Sequence, residues 1–355
     1  MKKICFLIGN IELVGGTERA TSLVSTLLAT NDCEVFILSL FGGNKASFPI
    51  NKKINLDSLF QEKISMRKNF FSCVSRLRKY LSNNKIETLI VVDSISTFFS
   101  VPASIGMSIN HICWEHFNIN SNLGSSFRDL GRKLAIIFCD KIVTLTQTDK
   151  NNWQKKFKKR AYKVISIPNP NTFEVNDFFP SIESKTVLAL GRLSKEKGFD
   201  LLIRAWSLII DKKGWVLKII GSGEELEALN QLILELSVKD SVIIIPATTE
   251  LGKYYKEATF LCLPSRVEGF GMVILEAYTF GLPVIAFDIE TGPKELISEH
   301  TGSLIEPYNI KLFSQEIYKY MDFSHYELML KSKKCKSNAE NFDGNQIVGS
   351  WMRII

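Results

Sequence analysis

At 355 residues the chain exceeds what one hydrophobic core usually covers, so two domains of roughly 150 to 180 residues are expected. Its composition, 45% apolar and 23% charged, excludes a disordered, collagen-like or disulfide-dense protein. The net charge of +7 is uneven: residues 1–180 hold 24 Lys and Arg against 14 Asp and Glu, and the remainder holds 20 against 23. A basic first half admits an anionic substrate, an anionic membrane surface or nucleic acid, and no nucleic-acid motif accompanies it, so no nucleic acid partner is expected. Seven widely spaced cysteines without a Cys-x-x-Cys pair read as reduced thiols of a cytoplasmic chain, with no metal site.

Taken in order, Ile4 to Ile8 reads as a buried first strand rather than a leader, because its short apolar run continues into Gly9-Asn10. The turn after it, through Gly15-Gly16-Thr17-Glu18-Arg19, opens a helix over 17–29 and lacks the Gly-x-Gly-x-x-Gly fingerprint, which argues against a dehydrogenase. Val35 to Leu40, Thr88 to Val92, His111 to Trp114 and Lys141 to Leu145 are further strands, with helices near 66–82 and 123–138. Alternation of this kind builds a doubly wound parallel sheet, an α/β fold. Two segments, 63–81 and 153–160, are basic; each is either a membrane-interfacial helix or a helix with a solvated charged face. Leu89 to Trp114 is the most lipid-like stretch, yet Asp93 and Pro102 interrupt it, so no span is expected. His116 follows a strand and falls at the sheet's carboxyl edge, where such folds bind ligands; Glu115 beside it is either an acid/base group or an exposed or salt-bridged carboxylate.

Ile165 to Asn171, with Pro168 and Pro170, marks a hinge, and the second domain then runs through 169–337. Strand Val187 to Leu190 leads into Gly191-Arg192-Leu193-Ser194-Lys195-Glu196-Lys197-Gly198 and a helix over 199–210. Arg forks onto phosphate oxygens and Lys supplies a compact charge, so Arg192 and Lys197 on one strand-to-helix loop suit a diphosphate. Strand Val216 to Ile220 opens onto Gly221-Ser222-Gly223 and a helix over 226–236; Ile243 to Ile245 is followed by Pro246. Strand Phe260 to Leu263 feeds Glu268-Gly269-Phe270-Gly271-Met272 and a helix that carries Glu276 and stops at Gly281 before the strand from Val284. Eight helical residues rise about 12 Å, so Glu268 and Glu276 hold two parts of one elongated ligand unless the loop folds back. Gly269 and Gly271 let backbone approach it closely. Thr291-Gly292-Pro293-Lys294 starts another helix at the same edge, and Asn341 to Trp351 reads as a last helix.

The run PSRVEGFGMVILEAYTFGLPVIA resembles the Glu-x7-Glu signature of retaining glycosyltransferases of the GT-B fold, family 4. GRLSKEKGFDLLIRAW, IIGSGEE and TGPKELI, in order, carry the resemblance over essentially the whole second half, and GGTERA extends it to the first. It implies two Rossmann-like domains facing across a cleft, with residues 338–355 crossing back from the second to the first. It also implies that Arg192 and Lys197 hold the donor pyrophosphate, Glu276 the ribose, and Glu268 and His116 the donor sugar. Gly15, Gly16, Gly191, Gly221, Gly223, Pro246, Gly269, Phe270, Gly271, Met272 and Gly292 would then line the donor. The implied activity is transfer of a hexose or N-acetylhexosamine from a nucleoside diphosphate sugar, UDP being the default, to a cell-surface glycan or lipid-linked oligosaccharide. No cofactor and no metal is expected, and peripheral contact with the inner face of the membrane is a further expectation. A sugar-nucleotide epimerase or hydrolase, or an inactive nucleotide-sugar-binding protein, are the alternatives.

Overall fold

A run such as Thr88-Leu89-Ile90-Val91-Val92 has no wet face, and it is satisfied inside a parallel sheet covered on both sides. A computed structural model, which describes residues 1–65 and 68–355, collects seven strands into one parallel sheet and six into another. The chain divides into two units, residues 1–170 with 344–355, and residues 171–343.

In unit 1 the elements are β1 (Lys2–Ile8), α1 (Gly16–Thr30), β2 (Cys33–Ser39), β3 (Asn55–Ser58), α2 (Phe70–Asn83), β4 (Thr88–Val92), α3 (Thr97–Ser104), β5 (Asn110–Trp114), α4 (Ser126–Phe138), β6 (Lys141–Thr144), α5 (Gln147–Lys156) and β7 (Val164–Ser166). Strand order is β3-β2-β1-β4-β5-β6-β7, all parallel. From β1 the chain winds outward to β3, then crosses to the other side of β1 and winds out to β7. The point where its direction reverses lies between β1 and β4. The helix expected over 66–82 is α2; Met66 and Arg67 of that expectation, and of the basic segment 63–81, lie outside the described residues.

Unit 2 contains β8 (Thr186–Leu190), α6 (Phe199–Ser207), β9 (Val216–Ile220), α7 (Leu226–Glu235), β10 (Val242–Ile245), α8 (Leu251–Glu257), β11 (Phe260–Leu263), α9 (Met272–Thr279), β12 (Val284–Phe287), α10 (Pro293–Leu296), β13 (Gly302–Ile305), α11 (Ile310–Met321) and α12 (His325–Glu340). The order β10-β9-β8-β11-β12-β13 places its reversal between β8 and β11. Trp206, Phe199, Phe260 and Tyr320 fill the core beneath.

The returning segment is shorter than 338–355. α12 runs unbroken to Glu340, and the linker residue Asn171 bonds through its backbone to the carbonyl of Phe342 (2.9 Å) and through Nδ2 to that of Ala339, so all three stay in unit 2. Only residues 344–355 join unit 1. There α13 (Gly344–Met352) sets a fully buried Trp351 edge-on against Trp114 at 5.0 Å, and Asn110 Nδ2 donates to the Ile354 carbonyl (2.7 Å). All seven cysteines are buried free thiols. No helix among the described residues is long and apolar enough to cross a membrane.

Candidate active site

Open parallel sheets bind ligands beyond the carboxyl ends of their strands, where the winding direction reverses. In unit 2 that position is bounded by the loops after β8 and β11, which carry Gly191 to Gly198 and Pro264 to Gly271. The two loops are locked together. Arg266 forks onto Asp200 (2.8 and 2.7 Å) and donates to the Lys195 carbonyl (2.7 Å); burial would raise the Asp200 carboxyl, but Arg266's hydrogen bonds and charge outweigh it and hold it low. Gly198 has φ +69, and a Cβ there would lie 2.1 Å from the Pro264 carbonyl oxygen, so no other residue fits without displacing the second loop. The loop after β9 closes on the first in the same way: a Cβ on Gly221 would fall 1.9 Å from the Gly191 carbonyl oxygen, and one on Gly223 2.3 Å from that of Leu193. Ser222 Oγ in turn accepts from the Ala247 N–H (3.0 Å), tying in the turn at Pro246 after β10.

Across the reversal, Lys197 Nζ bonds Glu268 Oε1 at 2.6 Å, and Ser265 Oγ donates to the same oxygen at 2.7 Å. Thr291 Oγ1 donates to the Glu268 carbonyl, and Gly292, with φ +83, lies against the Phe270 carbonyl and Glu268 Cβ. Lys197, Glu268, Gly191, Phe270 and Gly292 therefore form one constellation. Gly269 is half-buried in its loop, and Gly271, at φ +86, is the N-cap of α9; Met272 is the first helical residue. Arg192 stands apart: 70% of its side chain is exposed, and it meets Glu224 at 3.0 Å. Exposed pairs of this kind are screened by water and salt and hold weakly, so an arriving anion can take Arg192 from Glu224 at little cost.

Glu276 is held by a second set of side chains. It is fully buried on α9, accepting from Tyr255 OH at 2.7 Å and Thr172 Oγ1 at 3.0 Å. Tyr255 is itself fixed, stacked on Phe280 at 5.2 Å with Phe173 edge-on at 6.0 Å. Sequence reasoning missed Tyr255, Thr172 and Ser265, since a lone tyrosine or hydroxyl at no fixed spacing carries no signal.

In unit 1 Gly15 is the extended residue before α1 and Gly16 its first residue; Glu18, in the first helical turn, is pushed up by burial against its own backbone N–H. The loop after β5 holds His116, buried, its Nε2 without a hydrogen-bond partner among the described residues and its ring 4.4 Å from that of Trp114. Burial, then the Arg128 charge, lowers its pKa to about 3, so the imidazole is neutral at physiological pH. Glu115 proves to be the salt-bridged carboxylate: fully buried, it accepts from Ser94 Oγ (2.6 Å), Arg132 Nε (3.1 Å) and the Phe117 N–H (3.1 Å). Arg128 Nη1 binds both oxygens of Asp93 (2.8 and 2.9 Å), a residue held at φ +75 just after β4.

These groups set opposing pH dependences. His111, lowered to about 4, and His116 stay neutral in the fold, so the unfolded chain gains protons first below about pH 6.5 and stability falls on acidification. Asp93, raised to about 6 by burial and Glu115 against Arg128, instead takes up a proton in the fold that the unfolded chain refuses until about pH 4, which offsets part of the loss. Asp93→Asn should thus lose about 1 kcal/mol more than the parent between pH 7 and pH 5. Urea unfolding at the two pH values checks this; equal losses would contradict it.

Two parallel-sheet units of reversing strand order, one with a cationic glycine-floored loop at its switch point, define the GT-B glycosyltransferase fold. The profile described as "Glycosyl transferases group 1" matches residues 173–342, and that of "Glycosyltransferase Family 4" matches residues 14–170. An uncharacterized glycosyltransferase of Haemophilus influenzae is 40% identical over 360 residues, covering all of both chains. The amylovoran biosynthesis glycosyltransferase AmsD of Erwinia amylovora is 31% identical over 335 residues, 89% of each chain. Among solved structures, S. aureus TarM in complex with UDP superposes with a TM-score of 0.84 at 15% identity, over 100% of this chain and 99% of that one. The chain belongs to the family 4 glycosyltransferases.

Proposed function

We propose that the protein transfers a hexose or N-acetylhexosamine, with retention of anomeric configuration, from a UDP-sugar to a growing cell-surface glycan or lipid-linked oligosaccharide. The observation that carries this reading is the Lys197–Glu268 pair at the glycine-floored reversal of unit 2. AmsD's role in amylovoran biosynthesis supports the glycan acceptor, and UDP bound to TarM supports the nucleotide. In this reading Lys197 and Arg192 leave their carboxylate partners for the donor diphosphate, Glu276 takes the ribose hydroxyls, and Glu268 orients the sugar. His116, neutral, contacts the sugar through its unpartnered Nε2. As the glycosidic bond breaks, positive charge develops at the anomeric carbon and negative charge on the diphosphate, which the two cations and the α9 N-terminus stabilise. The acceptor hydroxyl attacks from the face the diphosphate leaves, and a diphosphate oxygen takes its proton. No metal or cofactor enters the proposal. Buried free thiols suit a reducing cytoplasm, where sugar nucleotides would be met.

Incubation with a panel of UDP-sugars and oligosaccharide acceptors, followed by NMR of the product, tests it. UDP release coupled to an α-linked product from an α-linked donor is expected. Net epimerisation without acceptor, or donor binding with no UDP release from any pair, would replace the reading with one of its alternatives. Tyr255→Phe removes the 2.7 Å hydrogen bond that orients the Glu276 carboxylate and should raise the donor KM about tenfold with kcat little changed.

A further inference from the structure

Asn110 and Trp114 stand on one face of β5, about 13 Å apart along the strand, and the segment that contains α13 meets both. At the amino end of β5 it is pinned through its backbone, with Asn110 Nδ2 donating to the Ile354 carbonyl (2.7 Å) and Lys2 Nζ to that of Ile355. At the carboxyl end Trp351 closes on Trp114, the ring centroids 5.0 Å apart at 74°. Trp114 passes the contact on: its ring meets that of His116 at 4.4 Å and 51°, while Phe6 of β1 backs it at 6.3 Å. Trp351, Trp114 and His116 are all buried, yet Nε1 of both tryptophans and Nε2 of the histidine have no hydrogen-bond partner among the described residues. Buried indole N–H groups usually find one. With none here to fix the rings at those nitrogens, close packing holds the row, and the ring at its far end bears on the ring at the site.

We propose that Trp351 is a positioning residue for the transfer reaction: pressed on Trp114, it sets the angle at which His116 presents Nε2, so α13 tunes the site without touching ligand. The inference rests on the reading in which His116 contacts the donor sugar. In that reading Nε2 stays unbonded until the sugar arrives, which leaves packing to hold the ring in its productive orientation. An anchor that merely kept α13 on unit 1 has Ile347 and Val348, both buried on the same helix, and the two backbone carbonyls; it does not need an indole aligned with the ring beside the site.

Trp351→Leu in the full chain tests the proposal, read by imidazole NMR of the free protein and by initial rates with an accepted UDP-sugar. The chain has four histidines, so the His116 signal is identified by its loss in His116→Gln. Trp351→Leu should move that signal and lower kcat about tenfold, with the donor KM within about twofold, because the nucleotide's proposed contacts lie on unit 2. Trp351→Phe keeps a ring against Trp114 and should bring back most of both. Ile347→Ala, a buried truncation on the same helix, should lower the melting temperature yet leave the His116 signal and kcat at the parental values. If leucine at 351 unfolds the chain, Trp351→Met fills the space with a flexible side chain and gives the same readouts. An unmoved His116 signal in a folded Trp351 variant, or an equal loss of kcat in Ile347→Ala, would overturn the proposal. A moved signal with parental kcat would sustain the positioning and overturn instead the contact between His116 and the sugar.

Discussion

Lys197→Met is expected to lower kcat/KM for the sugar nucleotide by roughly two to three orders of magnitude, the range seen when one preorganised charge is removed from a developing anion. Lys197 reaches the switch point from the loop after β8, 28% exposed, and its present partner Glu268 is nearly buried. A cation held there in low dielectric acts on a diphosphate more strongly than one in water. Arg192→Ala should cost less, about tenfold, because that guanidinium is largely solvated and screened. Lys197→Arg keeps the charge but changes its shape, and should recover part of the loss through KM rather than kcat. Initial rates of UDP release from several donors measure all three. Lys197→Met and Arg192→Ala both turning over every accepted donor at the parental rate, while properly folded, would show that the diphosphate is neutralised elsewhere.

The legibility of this chain followed how much of each element's burial is written into consecutive residues. Strands Thr88–Val92, Val216–Ile220 and Phe260–Leu263 are readable to the residue because apolar runs end abruptly at polar or glycine turns. β3, Asn55-Leu56-Asp57-Ser58, is a half-wet edge strand held by pairing with β2, and its sequence looks like a loop. α12 went unseen because its sixteen residues carry little apolar periodicity, although Ser324 and Glu327 form a capping box at its start. The helix expected over 199–210 stops at Ser207, ahead of the Asp211-Lys212-Lys213-Gly214 turn. The site divides the same way. Glycines at loop starts and the acidic pair are local and visible, whereas the Lys197–Glu268 bond joins residues 71 apart, and Tyr255 meets Glu276 across 21. Asp93 shows in the sequence merely as an interruption of an apolar stretch; its bidentate hold on Arg128 is a property of the turn after β4 meeting helix α4, 35 residues further on.

The outcome expected for Arg132→Met is loss of about 3–5 kcal/mol of stability from unit 1. Arg132, almost wholly inaccessible to water, donates to Glu115 and to the carbonyls of Asn118 (2.8 Å), Ile119 (2.8 Å) and Ser121 (2.9 Å). Methionine would leave a carboxylate buried beside a weaker partner, since Arg128 lies 3.7 Å from it and is already engaged by Asp93. If the penalty comes from that unmatched charge, adding Glu115→Gln should restore part of the stability, whereas a cost arising from the orphaned carbonyls would persist. Urea unfolding of the two single variants and the double one separates the contributions, and a loss below about 1 kcal/mol for Arg132→Met would contradict the burial argument. The same network also fixes the backbone around His116, whose neighbours Glu115 and Phe117 are both tied into it through the 3.1 Å bond from the Phe117 N–H to Glu115. The double variant should therefore regain stability without regaining the parental donor KM, because a glutamine in place of Glu115 offers that N–H a weaker, uncharged acceptor and lets the histidine drift.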